Sequence, residues 1–280
     1  MEIVMFTKML KEIGNLTLEE AGDYILKLGF DGADLTVRER GYVPPENVVT
    51  ELPKAINLLN SKGLNVPLIT TSITDVKDKN AEDIIKKASE CQVQYIKLGY
   101  WLYAGFGNFR KQIQNVRNKI KRLYRLGREY DVTLAIHTHA GNYLTNCATL
   151  LYTLLEGYEP RWLCAYIDPG HLFAETGPRG WELGLDILAP YIRVLAVKNY
   201  RWIKVKDVNT GNLIWKNKML PLKEEIVNWP AIFKCLKEIK FDGCISLHSE
   251  YKDLDLKRLI DQTSEDLEYL KNIIREVFRE

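Results

Sequence analysis

Residues 131–168 read DVTLAIHTHAGNYLTNCATLLYTLLEGYEPRWLCAYID and hold two short apolar runs on either side of a longer segment. The runs at 131–137 and 164–168 are strand-like, and residues 144–157 carry apolar side chains at helical spacing. Two strands joined by a helix pair in parallel, because parallel neighbours need a crossover connection between them. The stretch therefore predicts a βαβ unit.

The same alternation extends from this unit toward both ends of the chain. In the first helical stretch, Thr17 is placed as an N-cap with Glu20 three residues later. Further strand-like runs lie at 2–7, 31–38, 65–72, 94–99, 192–198 and 243–248. Further helix-like stretches lie at 16–30, 46–63, 80–92, 108–129, 180–189, 229–239 and 255–278. Strict alternation of this length predicts an α/β fold, a closed (β/α)8 TIM barrel formed by one domain, 1–280.

One long stretch, residues 200–228, lacks a regular period and follows the seventh predicted strand. Loops of this length after a barrel strand are usually functional, so Tyr200 and Trp202 are expected to line a substrate pocket. The basic and aromatic run YRWIKVK could instead stack nucleic-acid bases. A formal net charge of +2 gives no general attraction to nucleic acid, which favours the pocket.

Composition excludes several classes of protein. The 280 residues hold 39 Lys and Arg against 37 Asp and Glu, and no apolar run is long enough for a membrane span. The N-terminus does not resemble a signal peptide. Five cysteines without a CxxC pair indicate a reduced protein. We therefore expect a cytoplasmic protein with neither a nucleic-acid nor a membrane partner.

All four histidines, His137, His139, His171 and His248, lie at or near the ends of predicted strands, where TIM barrels carry their catalytic groups. Side chains alternate along a strand, so His137, Asp168 and His248 are expected to face the barrel axis. Two imidazoles and a carboxylate form a facial ligand set for a divalent metal. Alternatively, Asp168 merely bonds its own backbone in a type II Pro-Gly turn. His139 is expected to line the pocket or to orient its neighbour.

These motifs resemble the xylose isomerase-like TIM barrel superfamily of sugar phosphate isomerases and epimerases. The likeness runs from TVRERGYVPPENV through LAIHTHAG, YIDPGH and VLAVKNYRW to GCISLHSEY. It implies a divalent ion (Mn2+, Zn2+ or Co2+), a small carbohydrate substrate and a homo-oligomer. The family's strand-five and strand-eight glutamates fall on His137 and His248, and its strand-seven histidine falls on Ala196. The family's two-glutamate proton transfer therefore cannot simply be carried over.

The resulting hypothesis is a metal-dependent sugar or keto-sugar isomerase or epimerase that abstracts a proton next to a carbonyl. Glu250 and His171 are the candidate bases, and Lys198 is placed to stabilise the enediolate oxygen. Arg38 is the candidate for holding a phosphate or carboxylate. A keto-sugar lyase or hydratase would use the same residues. A non-catalytic sugar-binding barrel is the alternative from another class of protein.

Overall fold

The computed structural model describes residues 1–224 and 226–279 and contains the expected closed barrel of parallel strands. Eight strands form it: β1 Glu2–Phe6, β2 Gly32–Thr36, β3 Asn65–Thr70, β4 Tyr95–Lys97, β5 Thr133–His137, β6 Leu163–Ile167, β7 Ile192–Val197 and β10 Cys244–Leu247. They close the barrel in the order β1-β10-β7-β6-β5-β4-β3-β2. The predicted (β/α)8 TIM barrel is confirmed.

Helices cover the outside of the barrel. Their bounds are α1 Lys8–Glu12, α2 Leu18–Leu28, α3 Val48–Ser61, α4 Ala81–Glu90, α5 Phe109–Glu129, α6 Ala148–Leu155, α7 Pro169–Thr176, α8 Gly180–Leu188, α9 Trp229–Glu238 and α10 Leu256–Phe278. Helix α2 begins at the predicted capping box of Thr17 and Glu20. In the described part of the chain, no helix has both the length and the apolar character that crossing a membrane requires.

The strands divide their side chains between two cores, as the alternation predicts. Leu134 and Ile136 of β5 pack outward in the large core under the helices. Ala135 packs inward in a second, smaller core along the barrel axis. This parity carries polar residues at the ends of several strands, His137 of β5 among them, into the barrel mouth.

The stretch predicted to be irregular, residues 200–228, is largely ordered, and that prediction is wrong. It holds the antiparallel strands β8 Asn199–Lys206 and β9 Leu213–Leu220, which pair along their full length. A turn joins them, in which Oδ1 of Asp207 accepts a 2.8 Å hydrogen bond from the backbone N–H of Thr210. Most of the hairpin is exposed or half-buried on both faces, so its sequence lacks the apolar alternation that marks a half-buried strand.

Candidate active site

Two adjoining cavities lie at the carboxyl ends of the barrel strands. The outer cavity has a volume of about 920 Å³ and reaches the hairpin β8–β9, where Trp202 lines it. The inner cavity has a volume of about 80 Å³ and is lined by Phe6, Lys8, Arg38, Thr70, Lys97, Tyr100, His137, His139, Tyr166, Lys198, His248 and Glu250. Lys8, His139, Lys198 and Glu250 line both cavities and therefore lie where the two meet.

Asp168 is the buried centre of the site. It caps helix α7 through a 2.9 Å hydrogen bond from the backbone N–H of His171 to Oδ1, so Asp-Pro-Gly-His begins a helix and not the alternative type II turn. Its Oδ2 lies 3.2 Å from Nε2 of His137, 3.5 Å from Nε2 of His171 and 3.1 Å from Nζ of Lys198. Burial alone would raise the pKa of Asp168, but the neighbouring imidazole of His171, the charge of Lys198 and the hydrogen bond from His137 hold it well below its usual range. Asp168 is therefore ionised.

The two imidazoles beside Asp168 are held in the same way. Nδ1 of His137 is hydrogen-bonded to the hydroxyl of Tyr100 at 2.7 Å, and Nδ1 of His171 is hydrogen-bonded to the hydroxyl of Tyr200. Each ring therefore presents Nε2 to Asp168. Burial holds the pKa of both histidines well below the ordinary value, so both rings are neutral at neutral pH.

Glu250 follows β10 and lies at the junction of the two cavities. Its Oε1 accepts a 2.7 Å hydrogen bond from Lys8, and its Oε2 accepts a 3.2 Å hydrogen bond from Lys198. About a fifth of its side chain is exposed. Burial would raise the pKa of Glu250, but Lys198, His248 and Lys8 hold it well below the usual range. The carboxylate is ionised and faces the cavity, as its parity with His248 predicts.

His248 contacts a different set of residues. Its Nε2 is hydrogen-bonded at 2.8 Å to the hydroxyl of Tyr166, and its ring stacks on Phe6 with 4.5 Å between centroids. Its Nδ1 is buried, lies 3.8 Å from Oε2 of Glu250 and has no hydrogen-bond partner among the described residues. Behind it lies Asp34, whose pKa is raised by burial.

The structure thus brings His137 and Asp168 into contact, and the second imidazole on Asp168 is His171. No contact between His248 and Asp168 is present among the described side chains. The ring of His139 packs on His171 with 3.9 Å between centroids, and its Nδ1 is hydrogen-bonded to the carbonyl of Ala140. Burial lowers the pKa of His139 to about 4, so it is a neutral pocket residue.

The remaining predicted site residues also reach the cavities. Arg38 lines the inner cavity, with its guanidinium 5.8 Å from the ring centroid of Phe6. Tyr200 and Trp202, at the base of the hairpin, line the outer cavity. Tyr200 is fixed there by its hydrogen bond to His171.

Polar residues of the site that were missed from the sequence include Lys8, Asp34, Thr70, Lys97 and Tyr100. Asp34 and Lys97 are charged residues inside short apolar strand runs, GADLT and YIK, and such a residue must face the barrel axis or solvent. That signal could have identified both. Lys8 belongs to α1, a helix of five residues that is too short to show a period. Its contact with Glu250 joins opposite ends of the chain.

The donor chemistry around Asp168 fits a divalent cation. Two imidazole Nε2 atoms and one carboxylate oxygen face one another, and a tyrosine hydroxyl fixes the far nitrogen of each ring, as is common for metal-bound histidines. Nε2 of His171 is buried and has no hydrogen-bond partner among the described residues. As these side chains stand, no group of three or more His, Cys, Asp and Glu in the described chain is arranged to hold a metal ion. The ammonium of Lys198 already occupies one side of Asp168.

Comparison with solved structures identifies the same fold over nearly the whole chain. A xylose isomerase-like TIM barrel protein from Mycobacterium smegmatis, in complex with magnesium, matches with a TM-score of 0.71 and 17% identity over 99% of this chain and 97% of that one. A probable 3-DHS dehydratase from Bacillus anthracis matches with a TM-score of 0.72 and 20% identity over 97% and 99%. D-Psicose 3-epimerase from Clostridium cellulolyticum H10, with D-tagatose, matches with a TM-score of 0.70 and 12% identity over 98% and 99%. At these identities the likeness establishes a shared fold.

Sequence comparison gives the family. A search among curated proteins finds no match to the chain. The xylose isomerase-like TIM barrel family matches residues 23–273, which begin within α2 and end within α10. The chain belongs to the xylose isomerase-like TIM barrel family.

Proposed function

We propose that this protein is a sugar or keto-sugar isomerase or epimerase that removes a proton from the carbon next to a carbonyl. The observation that carries the proposal is the position of Lys198, whose Nζ lies 3.1 Å from Asp168 and 3.2 Å from Glu250 at the junction of the two cavities. A cation for a developing oxyanion and a carboxylate base thus lie side by side. Both groups promote proton abstraction next to a carbonyl.

Glu250 is the proposed base. In the free protein, ion pairs with Lys8 and Lys198 make the carboxylate a weak base. A carbonyl oxygen that takes up hydrogen bonds from Lys198 would weaken one of these ion pairs and raise the basicity of Glu250. Substrate binding would therefore activate the base while Lys198 stabilises the negative charge that forms on the carbonyl oxygen.

The proton must then return to carbon. Glu250 holds the abstracted proton and lies at the junction of the two cavities. Its return from Glu250 to the neighbouring carbon gives an isomer. Release of that proton to solvent, with delivery of a solvent proton to the opposite face of the substrate, gives an epimer.

A divalent ion is part of the proposal. His137, Asp168 and His171 would hold it, and when bound it would supply Lewis-acid polarisation of the substrate carbonyl. The magnesium complex of the similar Mycobacterium smegmatis protein supports this part of the proposal. Lys198 would keep its contact with Glu250, so the base remains oriented toward the junction of the cavities.

A dehydratase or lyase is the second candidate. The same proton abstraction starts a β-elimination when a leaving hydroxyl lies on the next carbon. A probable dehydratase of the same fold supports this alternative. Product analysis separates the two candidates, because elimination releases water and creates a carbon–carbon double bond.

Exchange of carbon-bound hydrogen with D2O tests the proposal. Purified protein with Mn2+ is incubated with D-fructose, D-tagatose and their phosphates, and NMR follows the hydrogens next to each carbonyl. We expect exchange with at least one sugar and a loss of about 10²-fold or more in Glu250→Gln. Glu265→Gln is the matched control, because Glu265 pairs with Lys223 on the surface. No exchange with any sugar would favour the non-catalytic barrel, and full exchange in Glu250→Gln would reassign the base.

A further inference from the structure

The inner cavity has more basic than acidic side chains. Lys8, Arg38, Lys97 and Lys198 line it, whereas Glu250 is the acidic residue among its lining groups. Lys8 and Lys198 form ion pairs with carboxylates of the site. Arg38 and Lys97 form no ion pair and no side-chain hydrogen bond within the described chain. Two basic side chains thus face the cavity without an acidic partner.

The position of Lys97 is imposed by the strand that carries it. Lys97 ends β4 and lies two residues after Tyr95, which packs in the core along the barrel axis, so both side chains point inward. Only 3% of Lys97 is exposed, and its Nζ lies 3.5 Å from the ring centroid of Tyr100. A buried amine that contacts a ring face and has no hydrogen-bond acceptor among the described residues is costly to keep, which indicates a group suited to a ligand.

Arg38 reaches the same cavity from the segment that follows β2. Its guanidinium lies beside the ring of Phe6, and its hydrogen-bond donors have no acceptor among the described residues. Thr70, which also lines this cavity, already donates to Asp34 at 2.7 Å and adds no competing charge. Guanidinium and ammonium groups together are the usual partners of carboxylates and phosphates.

The sizes of the two cavities set the orientation of a ligand. The inner cavity, about 80 Å³, is far below the ~300 Å³ at which ordinary ligand pockets begin, and the outer cavity, about 920 Å³, lies in the usual range. The inner cavity can therefore take one small end group, while the body of a sugar occupies the outer cavity. Lys198 and Glu250 would then contact the atoms between the two parts.

We propose that Arg38 and Lys97 form an oxyanion subsite that binds a carboxylate or phosphate group on the substrate. The proposal rests on the proposed function and narrows it: the substrate is an anionic carbonyl sugar with its charged group in the inner cavity and its carbonyl at Lys198. Neutral sugars of the same size would lack the group that the subsite recognises.

Binding of small anions tests the subsite without any turnover. Inorganic phosphate and acetate are titrated separately into the protein by calorimetry at constant ionic strength, which distinguishes the two sources of the oxyanion. We expect saturable binding of at least one, weakened about tenfold or more in Arg38→Met and in Lys97→Met. Arg110→Met and Lys86→Met, at exposed positions, are the matched controls and should bind as the wild type does.

The outcomes separate the subsite from the proposed function. The subsite is overturned if the wild type binds neither anion, or if Arg38→Met and Lys97→Met bind the anions as tightly as the wild type does. Either result counts against the subsite even if sugars exchange hydrogen with D2O. Saturable binding that both variants lose supports the subsite even if no sugar exchanges. If a methionine variant fails to fold, Arg38→Lys keeps the charge and removes the planar fork. Relative to the wild type, this variant should lose more affinity for acetate than for phosphate. An equal change in affinity for the two anions would overturn the role of Arg38.

Discussion

Nζ of Lys198 lies 3.1 Å from Oδ2 of Asp168, and both side chains are buried. Burial lowers the pKa of Lys198, but the charges of Asp168 and Glu250 raise it above the ordinary value, so the ammonium keeps its proton. Removing one partner of such a pair leaves the other charge buried and uncompensated. Lys198 therefore contacts both Asp168, which orients the two imidazoles, and Glu250, the proposed base.

Lys198→Met should lower turnover and leave the site able to bind metal. The variant removes the cation that faces the developing oxyanion, and loss of one such group costs about 10²–10³-fold in rate. It also removes the competing cation beside Asp168, so affinity for Mn2+ should be equal or higher. Rates of D2O exchange and Mn2+ titration by calorimetry measure the two effects, with Lys223→Met as a surface control. An unchanged exchange rate would show that Lys198 only holds the fold together.

His171→Ala should lose bound divalent metal, whereas His248→Ala should retain it. Nε2 of His171 lies 3.5 Å from Oδ2 of Asp168, and His248 instead contacts Tyr166 and Glu250. Elemental analysis after dialysis against Mn2+ measures the metal content of each variant directly. The opposite result would restore the ligand set that strand parity alone predicts, His137, Asp168 and His248.

The sequence predicts the barrel and most of its site because both depend on local alternation. Strand parity depends only on neighbouring residues, so it correctly directs Ala135 inward and Leu134 outward. The place of His171 depends on α7, whose helical turn brings residue i+3 back onto Asp168, and no strand pattern contains that information. Lys8 reaches Glu250 across the closure of the barrel, a contact between residues 242 positions apart that no local pattern can show.

The free energy of unfolding should depend on pH through Asp266, which lies at the base of the hairpin β8–β9. Its carboxyl group accepts hydrogen bonds from the backbone N–H of Leu222 at 2.9 Å and from the hydroxyl of Tyr251, which lies 3.1 Å from the carbonyl oxygen of Leu220. Burial raises the pKa of Asp266 from 3.8 to about 6. The folded state thus holds the proton more tightly than the unfolded chain, and this stabilisation is lost as pH rises through about 6.

Urea unfolding of the wild type and Asp266→Asn at pH values from about 4 to about 7 measures this effect. The free energy of unfolding of the wild type, relative to the variant, should fall by about 2 kcal/mol over that range. The variant lacks the titrating group, so the difference isolates Asp266 from the other carboxyl groups. Parallel pH profiles for the two proteins would contradict the prediction.

Anion binding in the inner cavity should take up protons through Lys97. Burial and the positive charges of Arg38 and Lys198 hold the pKa of Lys97 well below its ordinary value, against the opposing charges of Asp34 and Glu250. A bound oxyanion would raise that pKa, so Lys97 gains up to one proton on binding.

Calorimetric titration in two buffers of different ionisation enthalpy measures this uptake. The ligands are acetate and sulfate, which do not titrate near neutral pH. We expect uptake by the wild type and by Arg38→Met at higher anion concentration, and none by Lys97→Met. Binding without proton uptake by the wild type would show that Lys97 is already charged in the free protein, and equal uptake by Lys97→Met would assign the proton to another group.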